Sequence, residues 1–279
     1  MEHPEGFLAR FAEVPLPGEL TTGLGQRWHT DTLSFKVHPG GPGLDAALDC
    51  ALALRAERAT WSAADIDEVV VDTSLYTVEV DARAAAYLDG PRSPVSALVF
   101  SVAYCVATAL LTGGLTAGDL APDAVADPDR WALAAKVRVR HDPAMTRASL
   151  QADVPFGAAL RAGGEAATTW LATLAGPALV ELVGELGPPA AELVDAEKVT
   201  GAAVTVRTRD GHRLHAERAI PVGAAGPETR TTHPALVRAK FLATGGHPAV
   251  ADRLGRLERA SAREVATLLE TALTMGAPA

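Results

Sequence analysis

The sequence predicts an α+β fold, with a small, mostly antiparallel sheet packed against helices and an added helical layer beside it. Residues 93–114 form the longest uncharged, mostly apolar run of the chain and end at Gly113-Gly114, which is typical of a buried helix. Residues 44–58 repeat apolar side chains at helical spacing. Residues 201–220 hold two β-prone runs on either side of Asp210-Gly211, a pair that indicates a hairpin.

Four segments of the chain are expected to form the sheet. They are residues 30–38, which alternate polar and apolar side chains, residues 66–80, which begin with a β-branched run, and residues 136–141 and 203–220. The last segment is predicted to be a hairpin with a two-residue turn at Asp210-Gly211. Helices at 44–58 and 94–112 would pack against this sheet.

Residues 157–194 are rich in Ala and Leu and are broken by Gly163-Gly164 and Gly176-Pro177, which predicts two or three short helices. An amphipathic pattern from Ala260 to Met275 predicts a closing helix. The expected organisation is one α+β domain from residues 1–145 and 200–245, a helical insertion at 146–199, and C-terminal helices at 246–279.

Composition narrows the class of protein and the class of partner. With 279 residues, 48% apolar and 21% charged, the chain is typical of a globular protein with enough length for a large core. Its net charge of −9 argues against binding to nucleic acid or to an anionic membrane. Cys50 and Cys105 lie inside predicted helices and are expected to be reduced core thiols. The opening residues lack the pattern of a secretory signal, so a cytoplasmic location is expected.

A polar stripe runs along the predicted helix at 94–112. Ser101, Tyr104, Cys105 and Thr108 recur at spacings of three and four residues and so share one face. In one interpretation these groups bond to backbone carbonyls within the core. In the other, the stripe is one wall of a ligand pocket. The residues by themselves leave both interpretations open.

The same helix carries a resemblance to a known family. Residues 100–114, Phe-Ser-Val-Ala-Tyr-Cys-Val-Ala-Thr-Ala-Leu-Leu-Thr-Gly-Gly, resemble the "FSxxYxxAxALLxGG" helix of the MmgE/PrpD family. Further matches to the patterns of that family are Gly25, Trp28, Lys36, Pro39, Asp45-Ala46-Ala47, the segment 133–143 and the hairpin at 201–220. The family includes 2-methylcitrate dehydratase, cis-aconitate decarboxylase and an iminodisuccinate epimerase, so the resemblance implies a lyase or isomerase.

The resemblance also implies a set of site residues. Taken alone, Lys36 could be a surface lysine, but in the family this lysine lies in the active-site pocket, where it would bind or polarise a carboxylate. Tyr104, aided by Ser101, would donate or shuttle a proton. Substrate-binding positions are expected at Arg27, His38, Gly40 and Gly41, the glycines through backbone amide donors. No metal or other cofactor is expected, because no cluster of ligands has the spacing of a metal site.

The sequence departs from the family at two points. The loop after Pro39 lacks the family's cysteine and histidine and has Gly40, Gly41 and Gly43 instead. The helical domain that precedes this region in the family has no counterpart here, and we expect it to be supplied by another chain or replaced by the insertion at 146–199.

Two functions of different class therefore stay open. One is an MmgE/PrpD-like lyase or isomerase acting on a small carboxylic acid, either as half of a split active site or as an isomerase or cyclase of specialised metabolism. The other is a non-catalytic binding or partner subunit with the same fold. In either case the apolar faces of the C-terminal helices would have to be buried against another surface, which predicts a homodimer or a partner chain that supplies a helical domain. Motifs for phosphate loops, dinucleotide sites and nucleophile elbows are absent from the sequence.

Overall fold

The protein is described from a computed structural model that covers residues 3, 5–26, 29–58 and 60–275. The chain divides into two compact units, Met1–Gly226 and Pro227–Ala279. The first unit contains the whole sheet and the elements of the predicted site. No helix within the described ranges is long and apolar enough to cross a membrane.

Helices make up most of the ordered structure. In the first unit they are α1 Phe7–Phe11, α2 Asp45–Glu57, α3 Leu75–Ala85, α4 Val95–Leu98, α5 Val102–Thr112, α6 Pro122–Val125, α7 Pro128–Ala134, α8 Pro143–Gln151, α9 Gly157–Ala175 and α10 Pro177–Val183. In the second unit they are α11 Pro227–Ala243, α12 Pro248–Leu254 and α13 Ala262–Met275. Short 3₁₀ turns lie at Pro17–Leu20, His29–Thr32, Ala63–Asp65, Ala117–Leu120 and Leu257–Arg259.

The sheet has four strands in the order β2-β1-β3-β4. They are β1 Ile66–Thr73, β2 Val137–His141, β3 Ala202–Thr208 and β4 Arg213–Arg218. β1 pairs parallel with β2, whereas β1–β3 and β3–β4 are antiparallel. The predicted α+β class and its mostly antiparallel sheet are therefore confirmed.

The core lies between the sheet and two helices. α2 packs on β3 and β4, and α5 packs on α2, α7 and β2. Leu48 and Leu54 of α2, Leu110 of α5 and Val69 and Val71 of β1 are fully buried there. Cys50 and Cys105 lie on these two helices as buried thiols that form no disulfide, as predicted.

The segment at 30–38 is not a strand, and its assignment to the sheet is wrong. Residues 33–37 run without a ladder, and Phe35 N donates one bond of 2.6 Å to Gly223 O in the loop after β4. Lys36 and His38 do lie on one side of this segment, but they pair with residues of α2 and not with a neighbouring strand. The segment therefore supplies site residues instead of sheet.

The stretch from 74 to 80 is also not a strand, because the helix α3 begins directly after β1. Leu75 N donates to Thr146 Oγ1 of α8 at 2.8 Å, which caps the start of α3 from another element. Its β-prone residues Tyr76, Thr77 and Val78 are thus held in a helix by a contact distant in sequence.

The long helix predicted at 94–112 is interrupted. α4 ends at Leu98, and α5 begins at Val102 after an extended Ser101 with φ −80° and ψ 106°. Ser101 is the N-cap of α5 and accepts a bond from Tyr104 N at 3.3 Å. Gly113 ends α5 in the left-handed region, with φ 80°, as the sequence predicts.

The hairpin of β3 and β4 is present, but its turn is one residue longer than predicted. Thr208 N donates to His212 O, and Gly211 has φ 87°, so the loop is Arg209-Asp210-Gly211. This three-residue form places the glycine at the left-handed position after a tight turn. Two helical segments joined at Gly164 make up α9, and α9 with α10 confirms the short helices predicted after residue 157.

Candidate carboxylate site

The site begins with Lys36, which projects from the extended segment onto the first turn of α2. Its Nζ lies 2.8 and 2.7 Å from the two carboxylate oxygens of Asp45 and donates to Gly41 O at 3.0 Å. Asp45 is the first residue of α2, where the helix dipole favours a negative charge. The side chains of Lys36 and Asp45 are 41% and 14% exposed, so the pair faces solvent on the side of the lysine.

A second pair repeats this arrangement one helical turn further on. His38 Nε2 lies 3.2 Å from Asp49 Oδ1, and both side chains are buried. Two residues of extended chain span about 6.6 Å, and four residues of helix rise about 6 Å, so Lys36 and His38 match Asp45 and Asp49 in spacing. Asp49 also accepts from Val222 N at 2.7 Å, which ties the loop after β4 to α2.

The glycine loop between these pairs is packed against the bend that separates α4 from α5. Gly41 N donates to Val99 O at 2.5 Å, and a Cβ at Gly41 would clash with the Phe100 ring. Gly43 has φ +90°, and its carbonyl accepts from Thr77 Oγ1 at 3.3 Å. Other groups therefore occupy the space beside Gly41 and Gly43, and the Gly41 amide is already bonded within the fold.

A small cavity lies at the solvent side of the Lys36–Asp45 pair. It holds about 120 Å³ and is bounded by Lys36, Asp45, Lys198 and residues of the segments 34–35 and 221–224. The Lys198 ammonium forms no hydrogen bond or ion pair with any group among the described residues. Two cations and one carboxylate thus converge on one cavity, leaving one positive charge in excess.

Burial changes the acid–base behaviour of Lys198. Desolvation lowers the pKa of its ammonium below the range of an exposed lysine; the Asp45 carboxylate partly restores it, and the Lys36 ammonium lowers it further. An anion that enters the cavity would counter both the desolvation and the repulsion between the two lysines. The charges at this cavity therefore favour an anion.

Ser101 and Tyr104 lie deeper in the core than this cavity. Tyr104 is fully buried, its O–H donates to Asp119 O at 2.7 Å, and its ring lies 5.1 Å from that of Trp131. Burial raises the pKa of the phenol, with Arg130 acting in the opposite direction. Neither residue borders the cavity, and among the described contacts neither touches Lys36.

Residues 38–170 match the model of the MmgE/PrpD C-terminal domain, and the matched range includes His38, the glycine loop, Asp45, Ser101 and Tyr104. This part of the chain belongs to the MmgE/PrpD family. No curated protein sequence matches the chain.

The fold thus brings some predicted site residues together and separates others. Lys36, His38, Gly40 and Gly41 lie around the N-terminus of α2. Ser101 is the N-cap of α5 and Tyr104 lies in its first turn, and both are buried. Arg27 is outside the described residues. No group of three or more His, Cys, Asp or Glu side chains within the described ranges could hold a metal ion.

Cys105 follows Tyr104 on α5 and is fully buried. Its thiol donates to Leu98 O at 3.3 Å, and burial raises its pKa to about 12, with Asp81 adding to the increase. Lys36 and Asp45 also influence this thiol electrostatically. The Cys105 thiol therefore stays protonated at neutral pH.

Sequence reasoning missed three residues of this site. Asp45 and Asp49 could have been found from their spacing of four on one helix opposite Lys36 and His38, which are two apart in an extended segment. Lys198 gave no such signal, because residues 184–200 form no helix and have no periodic pattern. Only the fold places it beside Lys36.

Proposed function

We propose that this chain binds one carboxylate of a small organic acid between Lys36 and Lys198, two residues that flank the matched range 38–170, as the anchoring part of a lyase or isomerase site. The observation that carries the proposal is the convergence of two ammonium groups and a single carboxylate, Asp45, on one cavity. Family membership supports the reaction class.

The size of the cavity favours an anchoring role. A volume of about 120 Å³ corresponds to roughly four water molecules at about 30 Å³ each. A carboxylate group fits such a space, whereas the rest of a di- or tricarboxylic acid would extend beyond it. Lys198 would be the first contact of that carboxylate, since Lys36 is already paired with Asp45.

Charge neutralisation is the chemical contribution of this arrangement. Dehydration, decarboxylation and epimerisation next to a carboxylate all develop negative charge on the substrate. Ammonium groups that are preorganised before the reaction stabilise such charge in a partly desolvated site. The role of Tyr104 as proton donor remains a prediction, and in this structure its hydroxyl donates to Asp119 O.

A binding or partner subunit without catalysis is the second candidate. The observation that favours it is the full burial of Tyr104 and its bond to a backbone carbonyl, which leave the cavity without a hydroxyl donor from α5. Under this alternative Lys36 and Lys198 would still bind a carboxylate. Ligand binding and turnover therefore have to be measured separately.

Calorimetric titration with tricarballylate and citrate tests the binding step. We expect Lys198→Met to weaken binding by about 10- to 100-fold, because a hydrogen bond to a charged group contributes about 1.5–3 kcal/mol. Lys240→Met in α11 removes the same charge without touching the cavity and should leave the affinity unchanged. Equal affinity in the wild type and Lys198→Met would rule out the proposed anchor.

The pH dependence of binding supplies an independent check. Only the protonated Lys198 attracts the anion, so affinity should be greatest below its pKa and fall as pH rises through it. Because burial lowers that pKa, the fall should begin at a lower pH than for an exposed lysine. This early decline should disappear in Lys198→Met.

Proton exchange distinguishes catalysis from binding. The full chain, with any protein that co-purifies with it, is incubated in D₂O with each acid, and proton NMR follows deuterium incorporation next to the carboxylates. Exchange that is lost in Lys36→Ala would support the lyase or isomerase. Binding without exchange would favour the partner subunit.

A further inference from the structure

A larger cavity lies among α3, α8, α9 and α10, and it shares no lining residue with the lysine site. Its volume is about 710 Å³, which is within the range of roughly 300–1,000 Å³ found for small-molecule sites. It lies apart from the residues that the family resemblance assigns.

Aromatic and aliphatic side chains form most of the cavity wall. Tyr76 of α3 and Phe156 meet edge to face, with ring centroids 5.4 Å apart and planes inclined at 62°. Trp170, Leu171 and Leu174 of α9 face the same space. An aromatic ligand can extend such an edge-to-face cluster, and a ring in contact with three others would gain both area burial and favourable geometry.

Hydrogen bonds across the helices hold this cavity open. From α8, Arg147 Nε donates to Leu182 O at 2.6 Å and Gln151 Nε2 donates to Val183 O at 2.8 Å. These bonds fix the last turn of α10 and satisfy carbonyls that a helix end leaves unpaired. From α9, Arg161 Nε donates to Leu186 O at 2.7 Å. Because these bonds fix the helices, a ligand would have to move only side chains of the wall.

One buried polar group in the wall has no partner. Ser149 of α8 is 2% exposed, lines the cavity, and its Oγ makes no hydrogen bond within the described structure. A buried hydroxyl without a partner costs free energy, and such groups in native proteins usually mark a water or a ligand. The neighbouring Thr146 hydroxyl is already bonded to Leu75 N and His141 Nε2.

We propose that this cavity binds an aromatic small molecule with one hydrogen-bonding group. Its rings lie against Tyr76, Phe156 and Trp170, and its polar group bonds to Ser149 Oγ, which has to turn toward the cavity because it is closed to solvent in this structure. The charged residues that border the cavity, Glu79 and Arg83, are exposed on α3. The buried wall is therefore uncharged, and the ligand is neutral where it contacts that wall.

The probes for the test are 2-naphthol and naphthalene, which share a ring system and differ by one hydroxyl. Calorimetric titration of the full chain should give saturable binding of one 2-naphthol per chain. Naphthalene should bind about 2- to 10-fold more weakly, which corresponds to the loss of one neutral hydrogen bond. In Ser149→Ala the two probes should bind equally, because the group that distinguishes them is gone.

A matched pair of variants tests the location. Ala159→Trp places a large ring into the cavity from an exposed position of α9 and should abolish binding of 2-naphthol. Ala166→Trp adds the same ring at an exposed position of α9 outside the cavity and should leave binding unchanged. Circular dichroism and the urea midpoint confirm that each variant is folded.

Three results would overturn the proposal. The first is the absence of any saturable binding of 2-naphthol to the wild type, and the second is 2-naphthol binding that persists in Ala159→Trp. The third is a fall in molecular mass by light scattering in Ala159→Trp but not in Ala166→Trp, which would assign the cavity to a protein contact instead.

Discussion

Lys36 and Lys198 are two of only four lysines in a chain that carries 25 basic residues. Arginine dominates the structural ion pairs, such as Arg130 with Asp119 and Arg140 with Asp72. A guanidinium is planar and suits a fixed bidentate partner, whereas an ammonium is a compact charge that exchanges partners and shifts its pKa readily. The presence of two of the four lysines at one cavity therefore favours the binding of an anion that comes and goes, such as a ligand, over a permanent ion pair within the protein.

Tyr104 is the residue at which the structural and the catalytic interpretations differ most. Its O–H bond to Asp119 O predicts that Tyr104→Phe lowers the free energy of unfolding by about 1 kcal/mol, since a buried hydrogen bond is lost. Urea unfolding measures this change. If the phenol is structural, tricarballylate affinity should remain that of the wild type.

The opposite pattern would support the catalytic assignment of Tyr104. Unchanged stability, together with loss of deuterium exchange at unchanged ligand affinity, would mean that the hydroxyl leaves Asp119 during the reaction. Tyr104→Leu serves as a control for packing, because it removes the ring as well as the hydroxyl and should cost distinctly more stability.

The extended segment before α2 shows what a periodic pattern can and cannot establish. Alternation at residues 30–38 predicted a strand that is absent, because residues 29–32 form a 3₁₀ turn and the partners of Lys36 and His38 are on α2. The helix α3 was missed because its cap, Thr146, lies 71 residues away. Contacts distant in sequence thus decide which partner an element takes and, at α3, the conformation itself.

Gly41 tests whether the glycine loop holds the lysine site in place. A Cβ at Gly41 would clash with the Phe100 ring, so Gly41→Ala must move either the loop or the ring. Overpacking of this kind costs about 1–3 kcal/mol. We expect a lower urea midpoint and weaker tricarballylate binding, because Gly41 O is a partner of the Lys36 ammonium.

The matched control for this substitution is Gly114→Ala. Gly114 follows α5, and a Cβ there would meet no atom within 4 Å. Its unfolding free energy should stay within about 0.5 kcal/mol of the wild type, as is usual for substitutions away from special features. Equal stability of the two variants would mean that Phe100 moves aside without consequence and that the loop is not held by this contact.

At the scale of the whole molecule, the exposed aromatic side chains of α1 form an apolar surface that another chain could cover. Phe7 and Phe11 of α1 are 59% and 77% exposed, with ring centroids 5.0 Å apart, and this five-residue helix has no buried residue. Isolated helices of fewer than about 12 residues are marginal in water. α1 therefore has little to stabilise it unless another surface covers its aromatic pair.

We expect α1 to contact a second copy of the chain or a partner chain. Light scattering of the native protein should give a mass above that of one 28.8 kDa chain. Phe11→Ser should reduce it to that of one chain, because it removes the more exposed ring of the pair. Tyr87→Ser removes a ring that is 70% exposed elsewhere in the first unit and should leave the mass unchanged. A single-chain mass for the wild type, with no protein co-purifying, would contradict the assembly and leave α1 dependent on contacts within its own chain.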